Sequence, residues 1–361
     1  MKNTSIYLLT FLLVSVLCEK VNAQKYPIYV GTYTSNNNSK GVYIYDFDEQ
    51  TLKATIKDSI VTSNPSFILR DDNKLYAVNE DGLGKLSSID LLSKRILNSQ
   101  ETEGAHPCHV SKSPNAPLLV VSNYSGGSLS LFSIKEDGSL NHMEDFIQFS
   151  GSSVNKDRQK QSHIHSAFFS NDGNKIYVSD LGADLIYVFG IEKSEEGYYL
   201  VNEGEIETKK GGGPRHVAFS KDGLTLYSVL EMTGEIEVFQ FINDKWTSKQ
   251  FVNIFSKNFK GENGAADIKI DSEGKYLYAS NRLDADVVVS YQVLSNGLLK
   301  QHDLHTSVGK GPRNINISPS GNLIFLTNQL SNQINILKIS NGKFKDTGLK
   351  IEIPKPVCII F

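Results

Sequence analysis

The sequence predicts an all-β fold, a seven-bladed β-propeller. Three observations support it: one hairpin template recurs along the chain, its copies are spaced like propeller blades, and the two chain ends complement each other. The template is plainest in "NKIYVSDLGADLIYVFG" (174–190), "LTLYSVLEMTGEIEVFQ" (224–240), "KYLYASNRLDADVVVSYQ" (275–292) and "NLIFLTNQLSNQINILKI" (322–339). Each copy alternates apolar and polar residues on both sides of a short polar turn, the signature of a β-hairpin.

Upstream of each hairpin stands a further strand and turn: "SAFFSNDG", "HVAFSKDG", "DIKIDSEG" and "NINISPSG". Asn, Asp, Ser and Gly there supply the tight turn. Fainter copies begin at Ser66, "SFILRDDNKLYAVNEDG", and at His109, "HVSKSPNAPLLVVSNYSGGSLSLFSI". The anchor positions of the middle strand are Tyr29, Tyr76, Val120, Tyr177, Tyr227, Tyr278 and Phe325. Their spacing of roughly 50 residues is that of propeller blades. The first unit, "PIYVGTY", starts at a middle strand and lacks an inner one, whereas the C-terminal "KPVCIIF" matches the inner-strand start "GPRHVAF". Pairing of the last strand with the first unit closes the ring and removes the open edges.

Ahead of the repeat, Lys2, the apolar run Ile6 to Leu17 and the small-residue pattern ending at Ala23 read as a secretory signal peptide, residues 1–23. The apolar run is about a dozen residues, short of the roughly 20 that a spanning helix needs, so no membrane span is expected. The propeller then occupies residues 24–361 as one domain, exported to the periplasm or secreted. A lipid anchor through Cys18 is the weaker reading, because Leu17 stands where a small residue is required. Beyond the signal only Cys108 and Cys358 remain, too few for a disulfide framework. A net charge of −3 over 361 residues, without a basic block, argues against nucleic acid as a partner.

Antiparallel strands put the start of each inner strand and the end of the next strand on one face of the ring. The first position gives the column Ser66, Cys108, His165, Arg215, Ala266, Arg313 and Val357, and the second gives Tyr33, Glu80, Tyr124, Leu181, Glu231, Arg282 and Gln329. Ala266 and Val357 show that the scaffold itself needs no cation there. His165, Arg215, Glu231, Arg282 and Arg313 are therefore additions to it, gathered on neighbouring blades around one channel mouth. The preceding column, Thr32, Asn79, Asn123, Asp180, Leu230, Asn281 and Asn328, is nearly uniform, which favours backbone hydrogen bonding over ligand binding. Calcium at Asp180 is the lesser alternative, with a single carboxylate available.

Opening a lactone requires a base for water, donors for the oxyanion and a proton for the leaving alkoxide. Histidine suits the proton transfers. Arginine suits the oxyanion or an anionic substrate group. Glu231 is expected to be ionised, either orienting His165 or acting as the base. The expected catalytic set is His165, Glu231, Arg215 and Arg282. Candidate substrate-binding residues are Arg313, His163, His106, Asn123 and Arg158, the last on a loop that with Gln159 reaches the mouth as a lid. His106, Cys108 and His109 lack the second cluster that a zinc site needs. No G-x-S-x-G, H-E-x-x-H or Walker motif occurs.

"YVGTYTSNNNSKGVYIYDFD", "GAHPCHVSKSP", "VSNYSGGSLSLFSI", "RQKQSHIHS", "VSDLGADLIYVF", "GGGPRHVAFSKDG", "ASNR" and "GPRNINISPSG" resemble, in order, segments of the lactonase family of seven-bladed propellers, which includes the bacterial propeller form of 6-phosphogluconolactonase. The resemblance implies a small-molecule lactone substrate and no obligatory metal or other cofactor. It extends to fungal carboxymuconate cyclases, whose histidine, two arginines and glutamate fall on His165, Arg215, Arg282 and Glu231. Because those enzymes form a lactone, the direction of the chemistry stays open between a lactonase and a muconate cycloisomerase. A propeller that binds a glycan or protein without turnover is the reading from another class. An export signal departs from the cytoplasmic location that sugar catabolism by a phosphogluconolactonase implies, so a different sugar lactone is also open.

Overall fold

The computed structural model describes residues 25–306 and 309–361, and the expected export signal at 1–23 lies outside them. The described residues form seven four-stranded antiparallel sheets, each ordered along the chain from the innermost strand outward except where the ring closes. The inner strands of blades 2 to 7 are Ile68–Asp71, Pro107–Lys112, Ile164–Phe169, Pro214–Phe219, Asn263–Ile270 and Pro312–Ile317. Blade 1 takes its inner strand from the C-terminus: Pro356–Ile360 pairs with Lys25–Thr32, with Tyr29 opposite Ile360 and Gly31 opposite Cys358. The expected closure of the ring is thus the observed one.

Each second strand is buried on both faces because it lies between two neighbouring sheets. In Thr225–Leu230 of blade 5, successive side chains alternate sides. Leu226 packs with Tyr177, Ile186 and Val217 on the blade 4 side. Tyr227 and Val229 pack with Ile268, Leu277 and Val289 on the blade 6 side. Across the closure, Ile28, Val30 and Phe47 of blade 1 meet Leu323, Phe325 and Ile336 of blade 7, with Phe47 and Phe325 edge to face at 5.2 Å. Two anchor tyrosines, Tyr76 and Tyr227, bury the ring and keep the hydroxyl bonded. Tyr76 donates to the Gly138 carbonyl at 3.0 Å and Tyr227 to that of Gly297 at 2.9 Å. The turn glycines Gly173, Gly223, Gly274 and Gly321 all adopt positive φ, from 72 to 77°, a conformation glycine reaches without steric cost.

One departure from regular pairing recurs and positions the site. Among the described residues, the inner strands of blades 1 and 3 to 7 each carry one extra residue near their start. Register shifts fall between Pro107 and His109, Ile164 and Ser166, Pro214 and Val217, Ala265 and Ile268, and Pro312 and Asn314, and in blade 1 opposite Gly31 and Thr32. Such bulges bend a strand and re-aim one side chain. Cys108, His165, Arg215, Ala266, Arg313 and Val357 sit in these bulges, six of the seven members of the first column read from the sequence.

Candidate active site

The bulges stitch one blade to the next. Cys108 donates from Sγ to the His165 carbonyl at 3.2 Å, Ser166 donates to the Arg215 carbonyl at 2.6 Å, and the Arg215 guanidinium donates through Nη1 to the Ala266 carbonyl. Above this girdle lies a cavity of about 300 Å³, lined by Glu80, Cys108, Tyr124, Arg158, His165, Glu231, Gly264, Arg282, Leu283 and Arg313. Its size is at the small end of ligand pockets, which run from about 300 to 1,000 Å³. The larger groove of 610 Å³ between Ser220 and Gly297 is lined by two charged residues, Lys221 and Asp222.

Glu231 is the electrostatic centre. Its Oε2 lies 3.2 Å from Arg215 Nε and 3.0 Å from Arg282 Nη2, and its Oε1 accepts from Arg158 Nη2 at 2.7 Å. Burial alone would raise its pKa, but Arg282, Arg215 and Arg158 outweigh that and hold it at about 2. A carboxylate held this way is ionised at any working pH and too weak a base to take a proton from water. Arg282 is fixed from behind by donating through Nε to the Gly264 carbonyl at 2.8 Å. Next to it Leu283 lines the cavity with φ at +62°, a strained conformation for leucine held at a binding site.

His165, 4% exposed, is pushed the other way. Burial, then the charges of Arg215, His216, Arg313 and Arg282, hold its pKa well below 6.5, so its imidazole is neutral at pH 7. The Tyr124 ring stands edge-on to it at 5.5 Å. Arg313 donates to the Tyr33 hydroxyl at 3.0 Å, and that hydroxyl donates to Glu80 at 2.9 Å. Burial opposes the Arg313 charge, but Tyr33, Glu80 and Glu231 more than restore it.

The structure brings His165, Glu231, Arg282, Arg313 and Arg158 to the cavity wall. Arg215 is 3% exposed and sits behind that wall, touching Glu231 from below. Arg158 reaches the site because its loop is anchored. Gln159 donates to the Leu181 carbonyl at 2.9 Å and to Asp184 at 2.7 Å, and Ser153 donates to Asp184 at 2.5 Å.

Three candidates for substrate contact lie outside the cavity wall. Asn123 is fully buried and donates from its amide to Ser128 and Ser130. His163 precedes its strand, stacks on Tyr124 at 4.6 Å and meets the Tyr124 carbonyl through Nδ1 at 3.1 Å. His106 lies in a bend with φ at +54°, and its buried Nδ1 has no hydrogen-bond partner among the described residues. His109 packs between Phe67 and Phe168 at 4.4 and 4.6 Å, in the channel below. Asp180 spends Oδ1 on the amides of His163, Gly182 and Ala183, the backbone role that its column suggested.

Glu80, Tyr124 and Tyr33 were visible only as members of the second column. Nothing in their residue type set them apart, because their neighbours through space were not readable from the chain.

Residues 27–361 match the family described as "Lactonase, 7-bladed beta-propeller". A protein of Formosa agariphila named 6-phosphogluconolactonase is 32% identical over 333 residues, covering 88% of this chain and 94% of its own length. One of Bacillus subtilis with the same name is 27% identical, covering 93% and 98%. The solved structure of a periplasmic gluconolactonase from Pseudomonas aeruginosa superposes with a TM-score of 0.83 at 28% identity, covering 93% of this chain and 99% of that one. The chain therefore belongs to the lactonase family of seven-bladed β-propellers.

Proposed function

We propose that the protein is an exported lactonase that hydrolyses an anionic sugar lactone of the 6-phosphogluconolactone kind, with His165 as the proton-transfer group. The observation that carries this reading is the pairing of a neutral, buried imidazole with Arg282, Arg313 and Arg158 on the walls of one small cavity. Four guanidiniums, counting Arg215, face the carboxylates of Glu231 and Glu80, so the site carries net positive charge suited to an anion.

In this reading His165 takes a proton from water as the water oxygen attacks the lactone carbonyl. Arg282, held rigidly by Glu231 and Gly264, stabilises the oxyanion, which needs donors already in place. Collapse breaks the ring C–O bond, and the imidazolium returns its proton to the departing alkoxide. Neighbouring guanidiniums make that imidazolium a strong acid, which favours the return. Arg313 and Arg158 hold the remote anionic group of the substrate. Glu231 serves as the anionic hub that fixes the arginines rather than as the base. Export rests on the signal-like residues 1–23 and is supported by likeness to a periplasmic gluconolactonase.

The test is proton release from a panel of phosphorylated and unphosphorylated sugar lactones by the purified protein, beside His165→Ala and Arg215→Ala. Wild-type turnover no faster than that of the variants would remove the assignment. Loss of the diene absorbance of a muconate, without lactone opening, would reassign the same residues to ring closure. Retention on a glycan array without turnover would favour a binding protein.

A further inference from the structure

Directly below the cavity lie two buried ionisable groups that the steps above do not use. Asp267, in the bulge of the strand Asn263–Ile270, is 0% exposed, and His216, the residue after Arg215, is 2% exposed. They meet at 2.8 Å, His216 Nδ1 to Asp267 Oδ1.

The Asp267 carboxylate is saturated with donors. Oδ1 also accepts from Lys269 Nζ at 3.0 Å and the Ile268 amide at 2.9 Å, while Oδ2 accepts from Asn314 Nδ2 at 2.5 Å and the Ile315 amide at 3.1 Å. Such a carboxylate can only accept, so the proton of a neutral His216 must stand on Nδ1, leaving a lone pair on Nε2. That Nε2 faces Arg215 Nη1 at 3.4 Å. Arg215 in turn presents Nε to Glu231 Oε2 at 3.2 Å, and the same oxygen meets Arg282 Nη2 at 3.0 Å. A buried guanidinium needs partners on several sides to stay oriented: Arg215 donates through Nη1 to the Ala266 carbonyl and faces His216 Nε2 with the same nitrogen, while its Nε is held beside Glu231 by charge, without hydrogen-bond geometry. Burial foremost, then Arg215, keeps His216 near 4, consistent with the neutral ring this chain requires.

We propose that Asp267 and His216 are positioning residues for the reaction. Asp267 fixes the Nδ1–H tautomer of His216, whose free Nε2 holds Arg215 against Glu231 and thereby sets Arg282 at the substrate. The inference rests on the hydrolytic reading above for its catalytic consequence, but the hydrogen-bond chain stands on its own geometry. An ordinary buried pair joining two inner strands would depend on the Nδ1–Asp267 contact alone and be indifferent to what occupies Nε2.

The two roles separate by substitution. Asparagine reproduces the Nδ1 donor toward Asp267 but cannot reach Arg215, whereas glutamine places an acceptor near the Nε2 position. His216→Asn is expected to lower kcat about 10- to 100-fold, the usual effect of losing an outer-shell partner, with KM changed less than about threefold. His216→Gln is expected to recover most of that loss. In an Arg215→Lys background, His216→Asn should cost less than about twofold more, because the partner it positions is already altered.

Imidazole ¹⁵N chemical shifts of the wild type give a readout independent of turnover and are expected to report Nδ1–H for His216. An Nε2–H tautomer, an undiminished effect of His216→Asn in the Arg215→Lys background, or wild-type kinetics in a folded His216→Asn would each overturn the proposal. No lactone turnover by the wild type, with Nδ1–H intact, would instead remove the hydrolytic reading and leave the hydrogen-bond chain standing.

Discussion

Arg158 and Glu231 are 73 residues apart along the chain and 2.7 Å apart in space, the cation on a loop between blades and the carboxylate at a strand end on the channel mouth. The arginine side chain is 45% exposed while the glutamate is 9% exposed, so one partner can leave and the other cannot. Glu231 keeps Arg215 and Arg282 when Arg158 goes. Arg158→Ala is therefore expected to change stability by no more than about 1 kcal/mol, as for an exposed pair. It should raise KM for a phosphorylated lactone by about tenfold with kcat nearly unchanged, in steady-state kinetics at low and high salt. A fall in kcat alone would contradict the substrate-holding role.

Removing Glu231 has the opposite character. Glu231→Gln strands Arg215 and Arg282 beside one another without their shared anion. Loss of one partner of a buried pair costs about 3–5 kcal/mol, which urea unfolding would detect. Were Glu231 the base instead, the amide would abolish turnover and leave the unfolding midpoint in place.

His165→Ala should lower kcat by about 100- to 10,000-fold, the range for a lost acid/base group, with a far-UV spectrum like that of the wild type. With the neutral imidazole as the proposed proton acceptor and its pKa held well below 6.5, kcat/KM should be flat above neutrality and fall only on acidification below about pH 6.5. A profile that instead rises through pH 7 to 8 would point to another base.

Acid should also weaken the fold in a defined window. His216 titrates near 4 in the folded chain, against an ordinary value of 6.5. The unfolded chain binds that proton first as pH falls, so stability is full above 6.5 and declines toward 4. The decline is about 3 kcal/mol for this group. Glu231, held at about 2, adds stability that is present above its ordinary 4.5 and is lost as pH falls through 2. Denaturant midpoints measured from pH 8 to 4 should fall below 6.5, and His216→Gln should flatten the upper part of that slope.

Deleting Pro356–Phe361 should open the ring. That segment includes the inner strand of blade 1, and Ile359 packs in the core shared with blade 7. Its loss exposes the edge of Lys25–Thr32, a template for association. Size-exclusion chromatography should show aggregation or loss of the cooperative unfolding transition.

The ring, its closure and both columns were legible in the chain because a propeller writes them as periodicity. A side chain at one point of the repeat occupies one height in the ring, whichever blade carries it. His165, Arg215, Arg282 and Glu231 could therefore be grouped without coordinates. Arg158 belongs to a loop outside the period, and its reach to Glu231 depends on Gln159 and Asp184, which no alternation encodes. Asn123 shows the same limit from the other side: its polarity is visible in the sequence, but the donation of its amide nitrogen to Ser128 and Ser130 is not.

By itself the sequence determined which residues share a face and that several cations meet a histidine and a carboxylate at one mouth. Tertiary structure decided their charge states and exposure. Burial and the number of guanidiniums around each group are properties of three-dimensional distance. They set Glu231 as a permanently ionised hub, His165 as a neutral imidazole, and Arg215 as a cation behind the wall rather than on it. Strand periodicity fixes direction, but only packing fixes the dielectric and the charges within a few ångströms, and those decide which group can move a proton.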